Sequence, residues 1–302
     1  MKTRSISPRR LMITAGLLMA CFQMVSFCPI SFSVAEEVNY CVAIGPCPVL
    51  NLPDLGEVFG AQNGVSVKVD EKGLIRAMEF IALPGTTFSI VSEIPKDGHR
   101  TLEVITPDYP SENPLFIDSR FVTFVAAPPS PREKTLLPAG KILSSLKAMS
   151  GQPYMWGGNY ANGIPLMTEL YPPSGKISAE TLSLWQLEGV DCSGLIYQAS
   201  GGYTPRNTSG MLDFGKSVKI SGLSAEEISR KTAPLDLIVW PGHVVIVLDK
   251  NTAIESSLSR GGVVMSGLTD RLRSIMSERV PADKWHPSSA RTFVIRRWHD
   301  KN

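Results

Sequence analysis

Residues 189–202 read GVDCSGLIYQASGG and place a single cysteine, Cys192, between an acid and a serine. Asp191 is a favourable helix N-cap and Gly201–Gly202 a stop signal, so the stretch predicts a short helix that begins at the cysteine. The apolar residues that follow share a helical face with Cys192, and such a face normally packs against a core. A free cysteine is often buried. Two interpretations of Cys192 therefore stay open, a core thiol and a reactive one.

Three observations favour a reactive Cys192. The first turn of a helix carries unpaired N–H groups and the positive end of the helix dipole, which together lower the pKa of a thiol. Both neighbours, Asp191 and Ser193, are polar, which is unusual for a core position. A candidate general base, His243, opens an apolar strand after a Pro-Gly turn, in PGHVVIVLD. The alternative for His243 is a hydrogen-bonded residue at a strand edge.

A predicted hairpin brings a third polar residue beside His243. If DKN (249–251) is a three-residue loop, residue 248 pairs with 252, and Glu255 lies opposite Val245 on the face that carries His243. Diagonal neighbours of this kind lie roughly 7–8 Å apart at Cα, which a glutamate side chain can span. A carboxylate there would orient the imidazole and stabilise its charged form. The alternative is a solvent-facing Glu255 with no such role.

The chain divides into four parts by composition. Residues 1–35 read as an export signal, with four basic residues, an apolar run and a small-x-small site. Residues 36–127 hold short strand-like runs such as FSIVSEI, TLEVITP and GVSVKVD, and predict a small all-β domain with a hairpin turn at KDGH. A proline-rich linker, PPSPREKTLLP, occupies 128–138. A helix group and then sequential strands over 139–302 predict an α+β domain with an antiparallel sheet.

Export constrains the compartment and the partners. We expect the periplasm or cell envelope, with membrane attachment only if the N-terminal segment is retained. The formal net charge of +2 gives no indication of a nucleic-acid partner, and a monomer is expected. Cys41 and Cys47 flank a Gly-Pro turn in CVAIGPC, a spacing that could close a disulfide loop in an oxidising compartment. Cys192 would then be the unpaired cysteine of the mature chain.

The segments PYMWGG, GVDCSGLIYQ, PRNTSGM, LDLIVWPGHVVIVLD and TAIESS, in this order over roughly 139–300, resemble the NlpC family of bacterial cell-wall cysteine peptidases. The resemblance implies a papain-like fold, in which a helix bearing the cysteine packs on an antiparallel sheet bearing the histidine. It also implies that Cys192 is the nucleophile and His243 the general base. The family's third position is usually a second histidine twelve residues after the first, and here Glu255 occupies it.

The same resemblance implies further site residues. Family members use the tyrosine of the PY-W block near the oxyanion, which is Tyr154 here. Asp191 and Ser193 match positions that hold the free amine of an N-terminal L-Ala in some relatives. Arg206 and Ser209 match a loop that contacts substrate carboxylates.

Two further expectations concern whole segments. Residues 36–127 resemble the bacterial SH3-like domains that often precede this catalytic unit, so an SH3-like barrel is expected there. An insertion at roughly 160–187 separates the tyrosine and cysteine blocks and is expected to form a flap that shapes the cleft.

The resemblance implies a cysteine peptidase that cleaves peptidoglycan stem peptides between γ-D-Glu and the following diamino acid, on free turnover peptides. No cofactor is implied, because Cys192, His243 and Glu255 do not have the spacing of zinc ligands. Two alternatives stay open: an endopeptidase acting on intact peptidoglycan, and a catalytically dead wall-binding protein.

Overall fold

The structure is a computed structural model that describes residues 39–288 and 291–299. The predicted export signal lies outside these residues. Within them, no helix has both the length and the apolar character needed to cross a membrane.

The first part of the chain forms an antiparallel sheet. Its elements are β1 (Tyr40–Ala43), β2 (Cys47–Leu50), α1 (Leu55–Val58), β3 (Phe59–Gly60), β4 (Ser66–Val67), β5 (Met78–Ala82), β6 (Thr87–Lys96), β7 (His99–Ile105), β8 (Leu115–Asp118) and β9 (Val122–Val125). The strand order is β5-β2-β8-β7-β6-β1-β9, with β3 and β4 as a separate ribbon. The hairpin predicted at KDGH is confirmed, because it joins β6 to β7 with Lys96 opposite His99. The SH3-like barrel stays a prediction.

One strand of this part is shorter than its alternating pattern predicted. GVSVKVD contributes only Ser66–Val67 to a strand. Its last residue, Asp70, instead accepts hydrogen bonds from the backbone N–H groups of Lys72 and Leu74. This local turn ends the strand, because the Asp70 side chain accepts backbone N–H groups that would otherwise form hydrogen bonds with a neighbouring strand.

The second part contains the predicted helices and a second sheet. Its elements are α2 (Ala139–Ala148), β10 (Asn159–Tyr160), α3 (Leu166–Leu170), α4 (Ala179–Trp185), β11 (Gly189–Val190), α5 (Cys192–Ala199), α6 (Thr208–Met211), β12 (Lys216–Ser217), α7 (Ala225–Lys231), β13 (Leu237–Trp240), β14 (His243–Val247), β15 (Thr252–Ser257), β16 (Gly262–Gly267), α8 (Leu268–Met276), β17 (Val280–Pro281) and β18 (Thr292–Arg297). The strand order is β12-β18-β13-β14-β15-β16, and β17 runs parallel to β18.

Successive side chains along the strands of the second sheet point to opposite faces and pack into two different hydrophobic cores. Val244 and Ile246 of β14 face a cluster that contains Cys192 and the apolar side of α5. Val245 and Val247 face a second cluster that contains apolar residues of α7 and α8. The helix bearing the cysteine therefore packs on the sheet whose strand β14 begins at the histidine, and the mixed helix and antiparallel-sheet class is as expected. The helix α8 was not expected, because the C-terminal part of the chain was predicted to be mostly strand and no element was assigned between GVVMSG and TFVIRRW.

The β14–β15 hairpin has the register that the sequence predicted. Ile246 pairs with Ile254 and Val247 with Ala253, and the Leu248 N–H donates to the Thr252 carbonyl. This register puts Glu255 on the same face as His243.

The insertion does not behave as the predicted flap. Ile164, Met167 and Trp185 are buried in the same cluster as the core of the first sheet. The Tyr171 hydroxyl donates to Asp118 at the end of β8, at 2.5 Å. The insertion therefore covers the first sheet, because its apolar side chains find their burial there.

Residues 128–138 contain no helix or strand, as the linker composition predicted. The segment is nevertheless fixed. The Arg132 guanidinium donates to the Asp108 carboxylate at 3.0 Å and to the carbonyl of Gly201 at 3.0 Å. The domain boundaries themselves stay a prediction.

The disulfide that the sequence allowed is not formed in the structure. Cys41 and Cys47 are both free and fully buried. Cys41 lies on β1 and Cys47 on β2, and these strands are not neighbours in the sheet. The Gly-Pro turn between them separates the two strands instead of folding them into a pair.

Candidate active site

Cys192 is the first residue of α5, and Asp191 caps the helix as predicted. The Asp191 Oδ1 atom accepts the Gly194 N–H at 2.6 Å. Gly194 lets the helix approach β10 closely, since a Cβ there would lie 1.9 Å from the Gly158 carbonyl oxygen. The first turn of α5 is thus held by a cap on one side and by backbone contact on the other.

The Cys192 thiol lies against the start of β14. The thiol donates to the Gly242 carbonyl oxygen, with Sγ 3.9 Å from that oxygen, and the Val244 backbone N–H partly offsets the rise of the Cys192 pKa. These two groups flank His243 in the chain. The structure therefore brings the predicted nucleophile to the strand end that carries the predicted base.

The expectation of a lowered thiol pKa is wrong for the free protein. Burial, and after it the Asp191 carboxylate, raises the pKa of Cys192 to about 12. Loss of solvation outweighs the helix N-terminus, because Cys192 is only 7% exposed. The thiol is thus protonated at neutral pH, and its activation requires a base that takes the proton.

His243 and Glu255 form the pair that the hairpin register predicted. The His243 Nε2 atom lies 2.7 Å from Oε2 of Glu255, which leaves Nδ1 for another partner. Glu255 is fully buried. A carboxylate in this position fixes the orientation and the tautomer of the imidazole.

Two arginines that the sequence analysis missed hold Glu255. Arg271 of α8 donates to both carboxylate oxygens, at 2.7 and 2.9 Å, and Arg260 donates to Oε1 at 2.9 Å. Burial alone would raise the pKa of Glu255, but the hydrogen bonds from His243 and Arg271 outweigh it and lower the pKa to about 2. Glu255 is therefore ionised throughout the physiological range. The amphipathic pattern of LTDRLRSIM was the available signal for α8 and hence for Arg271.

A second ion pair lies behind α5. Arg206 is 4% exposed and donates to both Asp191 oxygens, at 3.0 and 2.6 Å. It also donates to Ser193 Oγ at 3.0 Å and to Asn159 Oδ1 at 3.0 Å. The prediction that Arg206 contacts a substrate carboxylate is wrong for this structure, because these partners enclose its guanidinium group. Asp191 and Ser193 are likewise engaged within the protein.

A cleft of about 270 Å³ opens over Cys192. Of the predicted residues, it is lined by Tyr154, Asp191, Cys192, Ser193 and Ser209, and its remaining lining is Met78, Glu79, Tyr109, Trp156, Gly157, Asn207, Thr208 and Gly242. Arg206, Glu255 and His243 are not part of this lining. No residue of the 160–187 insertion lines it either.

Glu79 and Tyr109 of the first part of the chain form one wall of this cleft. The Tyr109 hydroxyl donates to Glu79 Oε2 at 2.7 Å, and the Asn51 side-chain amide donates to Oε1 at 2.8 Å. Among the described residues, no cation forms an ion pair with Glu79. No local sequence signal identified this wall, because Glu79 lies more than a hundred residues from Cys192 in the chain.

Tyr154 lines the same cleft as Cys192. Burial, and then the charges of Asp191 and Cys192, raise the pKa of its phenol well above the ordinary value. The hydroxyl is therefore neutral and can donate a hydrogen bond. The Cys192 N–H, as the first of α5, has no intrahelical acceptor, so both groups can serve an oxyanion.

Within residues 39–288 and 291–299, no three His, Cys, Asp or Glu side chains come together as a metal site.

Comparisons with known proteins give matches among solved structures alone. No family model and no curated protein matches the chain. An NlpC/P60 family protein from Bacillus cereus is 16% identical, with a TM-score of 0.33, over 87% of this chain and 64% of its own. The peptidoglycan hydrolase RipB from Mycobacterium tuberculosis is 19% identical, with a TM-score of 0.33, over 54% of this chain and 65% of its own.

NlpC1 from Trichomonas vaginalis is 12% identical, with a TM-score of 0.33, over 88% of this chain and 95% of its own. The chain spans less than two thirds of the first two structures, at 64% and 65%. Likeness at this level assigns neither a family nor a reaction, so both are proposals.

Proposed function

We propose that this chain is a cysteine peptidase of the NlpC type, exported to the cell envelope, that hydrolyses peptidoglycan stem peptides between γ-D-Glu and the following diamino acid. One observation carries the proposal. A thiol at the first turn of α5 faces a cleft and lies against the start of a strand whose first residue, His243, is bound to a buried carboxylate.

The proposed mechanism uses a protonated thiol. Nδ1 of His243 takes the Cys192 proton as the sulfur attacks the γ-glutamyl carbonyl carbon, and Glu255 stabilises the imidazolium that forms. The Cys192 N–H and the Tyr154 hydroxyl donate to the developing oxyanion. The imidazolium then protonates the leaving amine, and water hydrolyses the thioester with His243 again as base.

The cleft wall formed by Glu79 and Tyr109 favours a free peptide as the substrate. Glu79 presents a carboxylate without a cationic partner among the described residues, whereas the Asp191 carboxylate is paired with Arg206. An ammonium group is the natural partner of such a carboxylate. Glu79 is therefore the better candidate for the free amine of an N-terminal L-Ala, with Asp191 Oδ2 as a second acceptor.

The primary test uses the stem tripeptide L-Ala-γ-D-Glu-diaminopimelate and the full chain. Wild type is expected to release the dipeptide L-Ala-γ-D-Glu, detected by mass spectrometry. Cys192→Ala is expected to release none. Release by the Cys192→Ala variant at the wild-type rate would overturn the proposal.

A second test separates free peptides from intact wall. One change is acetylation of the L-Ala amine of the tripeptide; the other is Glu79→Gln, assayed with the free tripeptide. Either is expected to raise KM at least tenfold, because it removes one ammonium–carboxylate interaction of about 1.5–3 kcal/mol. Glu57→Gln is the matched control, because Glu57 is an exposed acid of the same part of the chain and is paired with Lys68. Equal cleavage of acetylated and free peptide would instead support an endopeptidase of intact peptidoglycan.

A further inference from the structure

A second polar pocket lies behind the Glu255 carboxylate, separate from the cleft. Its volume is about 400 Å³. It is lined by Ser257, Ser259, Arg260, Ser266, Asp270, Arg271 and Ser274. None of these residues lines the cleft over Cys192. The proposed peptidase reaction assigns no role to this space.

The wall of the pocket carries more positive than negative charge. Arg260 and Arg271 share a single carboxylate, that of Glu255. Arg260 uses only its Nη1 atom for Glu255, and its side chain is 38% exposed. The one carboxylate in the lining, Asp270, is already paired with Arg273 at 2.7 Å. Guanidinium N–H groups thus remain available to an anion.

Hydroxyl groups complete the donor set. The Ser266 Oγ atom is buried and has no hydrogen-bond partner among the described residues. An unpaired buried hydroxyl costs about 1–3 kcal/mol, which a ligand that accepts its hydrogen would recover. Ser257 and Ser259 hydroxyls lie 3.1 Å apart, so one of them donates to the other and the second hydrogen is free.

The geometry points to a binding site for a phosphate group in this pocket, with Arg260 and Arg271 as the charged donors and Ser266 and the Ser257–Ser259 pair as the hydroxyl donors. A phosphate group offers more acceptor oxygens than a carboxylate. The hydrogen-bond donors of this pocket are more numerous than the two oxygens of a carboxylate could accept, so a phosphate matches them better. The group could belong to inorganic phosphate or to a phosphate monoester of a larger molecule.

Occupancy of this pocket is coupled to Glu255. A phosphate that accepts from Arg260 and Arg271 competes with the carboxylate for the same guanidinium groups. Removing the Glu255 charge would release both guanidinium groups and is therefore expected to strengthen phosphate binding.

The test measures the melting temperature and calorimetric binding of the full chain with inorganic phosphate, phenyl phosphate and acetate at constant ionic strength. Saturable stabilisation by inorganic phosphate is expected, with acetate giving little, because a ligand that binds only the folded state raises its stability. Tighter binding of phenyl phosphate than of inorganic phosphate identifies a monoester as the occupant; the reverse identifies the free ion. Acetate binding as tightly as phosphate would overturn the phosphate assignment.

Variants locate the site. Arg260→Gln is expected to weaken phosphate binding at least tenfold and Ser266→Ala about threefold, while Glu255→Gln is expected to tighten it several-fold. Arg100→Gln is the control for net charge, because Arg100 is paired with Glu93 in the first sheet. Phosphate binding that is absent in wild type, or that Arg260→Gln and Arg100→Gln reduce equally, would overturn the proposal. The readout is binding, so it is independent of whether the peptidase proposal holds.

Discussion

Two buried carboxylate–arginine pairs flank the candidate site and act on different groups within it. Asp191 with Arg206 lies behind the nucleophile, and the Asp191 charge contributes to raising the pKa of the Cys192 thiol. Glu255 with Arg271 lies behind the base, and its carboxylate holds the His243 imidazole by a hydrogen bond to Nε2. The Asp191–Arg206 pair therefore positions the helix that bears the cysteine, and the Glu255–Arg271 pair positions the histidine.

The difference lies in what each carboxylate touches. Asp191 contacts its own helix through the Gly194 N–H, so its first role is to position α5. Glu255 contacts the imidazole directly, so its charge acts on the proton transfer. We expect the first pair to dominate stability and the second to dominate rate.

The largest expected effect concerns rate. Glu255→Gln removes the charge that stabilises the imidazolium, and kcat on the stem tripeptide is expected to fall about 10³- to 10⁴-fold. Steady-state kinetics of the folded variant measures this. The matched control is Glu226→Gln, which removes an exposed acid paired with Arg273 and should leave kcat unchanged. A similar kcat for Glu255→Gln and wild type would remove Glu255 from the mechanism.

The next effect concerns stability. Arg206→Met leaves the Asp191 carboxylate buried without its partner, and the free energy of unfolding is expected to fall by about 3–5 kcal/mol. Denaturant titration measures this. Arg271→Met should cost less, because Arg260 still pairs with Glu255. The double variant Asp191→Asn/Arg206→Met should recover part of the loss, and failure to do so would mean that Arg206 acts through packing alone.

A pH dependence of stability follows from Glu255. Its pKa is lowered from 4.5 to about 2 in the folded protein, so the carboxylate contributes stability above pH 4.5, and this contribution disappears as the pH falls through 2. A shift of this size corresponds to about 3 kcal/mol. The difference in unfolding free energy between wild type and Glu255→Gln is therefore expected to be constant above pH 5 and to shrink towards pH 2. A difference that grows on acidification would contradict the pairing.

The smallest effect concerns thiol reactivity. Since the Cys192 pKa is raised to about 12, its alkylation by iodoacetamide should be slow at pH 7 and keep rising through pH 10. Asp191→Asn removes a charge that raises this pKa and should increase the rate at pH 8 up to about tenfold. Peptide mapping separates Cys192 from the fully buried Cys41 and Cys47. A rate plateau near neutral pH would show that the thiolate already exists in the free protein.

The local parts of the site could be predicted from the sequence. The cap at Asp191 and the hairpin register that places Glu255 beside His243 depend on residues close together in the chain, and both are confirmed. The partners of these residues could not be predicted. Arg271 reaches Glu255 only because α8 packs on the sheet, and Glu79 reaches the cleft only because the first sheet lies beside it.

The thiol pKa could not be predicted for a related reason. The helix N-terminus is a local feature, but the loss of solvation that outweighs it arises from the surrounding tertiary packing. Arg206 shows the same limit, because its burial against Asp191 depends on how its loop folds back on α5.

Asn159 of β10, which pairs with β11 in a separate two-stranded ribbon, links the first sheet to the ion pair behind α5, and this link has a mechanical consequence. Its side chain exchanges two hydrogen bonds with the backbone of Ile81, at 2.9 and 2.8 Å, so it continues the edge of the first sheet as another strand residue would. The same amide oxygen receives Arg206. A displacement of that edge would thus be transmitted through one amide to the arginine and on to the nucleophile. The first part of the chain thus supports, through this amide, the arginine that pairs with Asp191 at the start of the cysteine helix, and its removal would leave the Asn159 side chain without its two backbone partners.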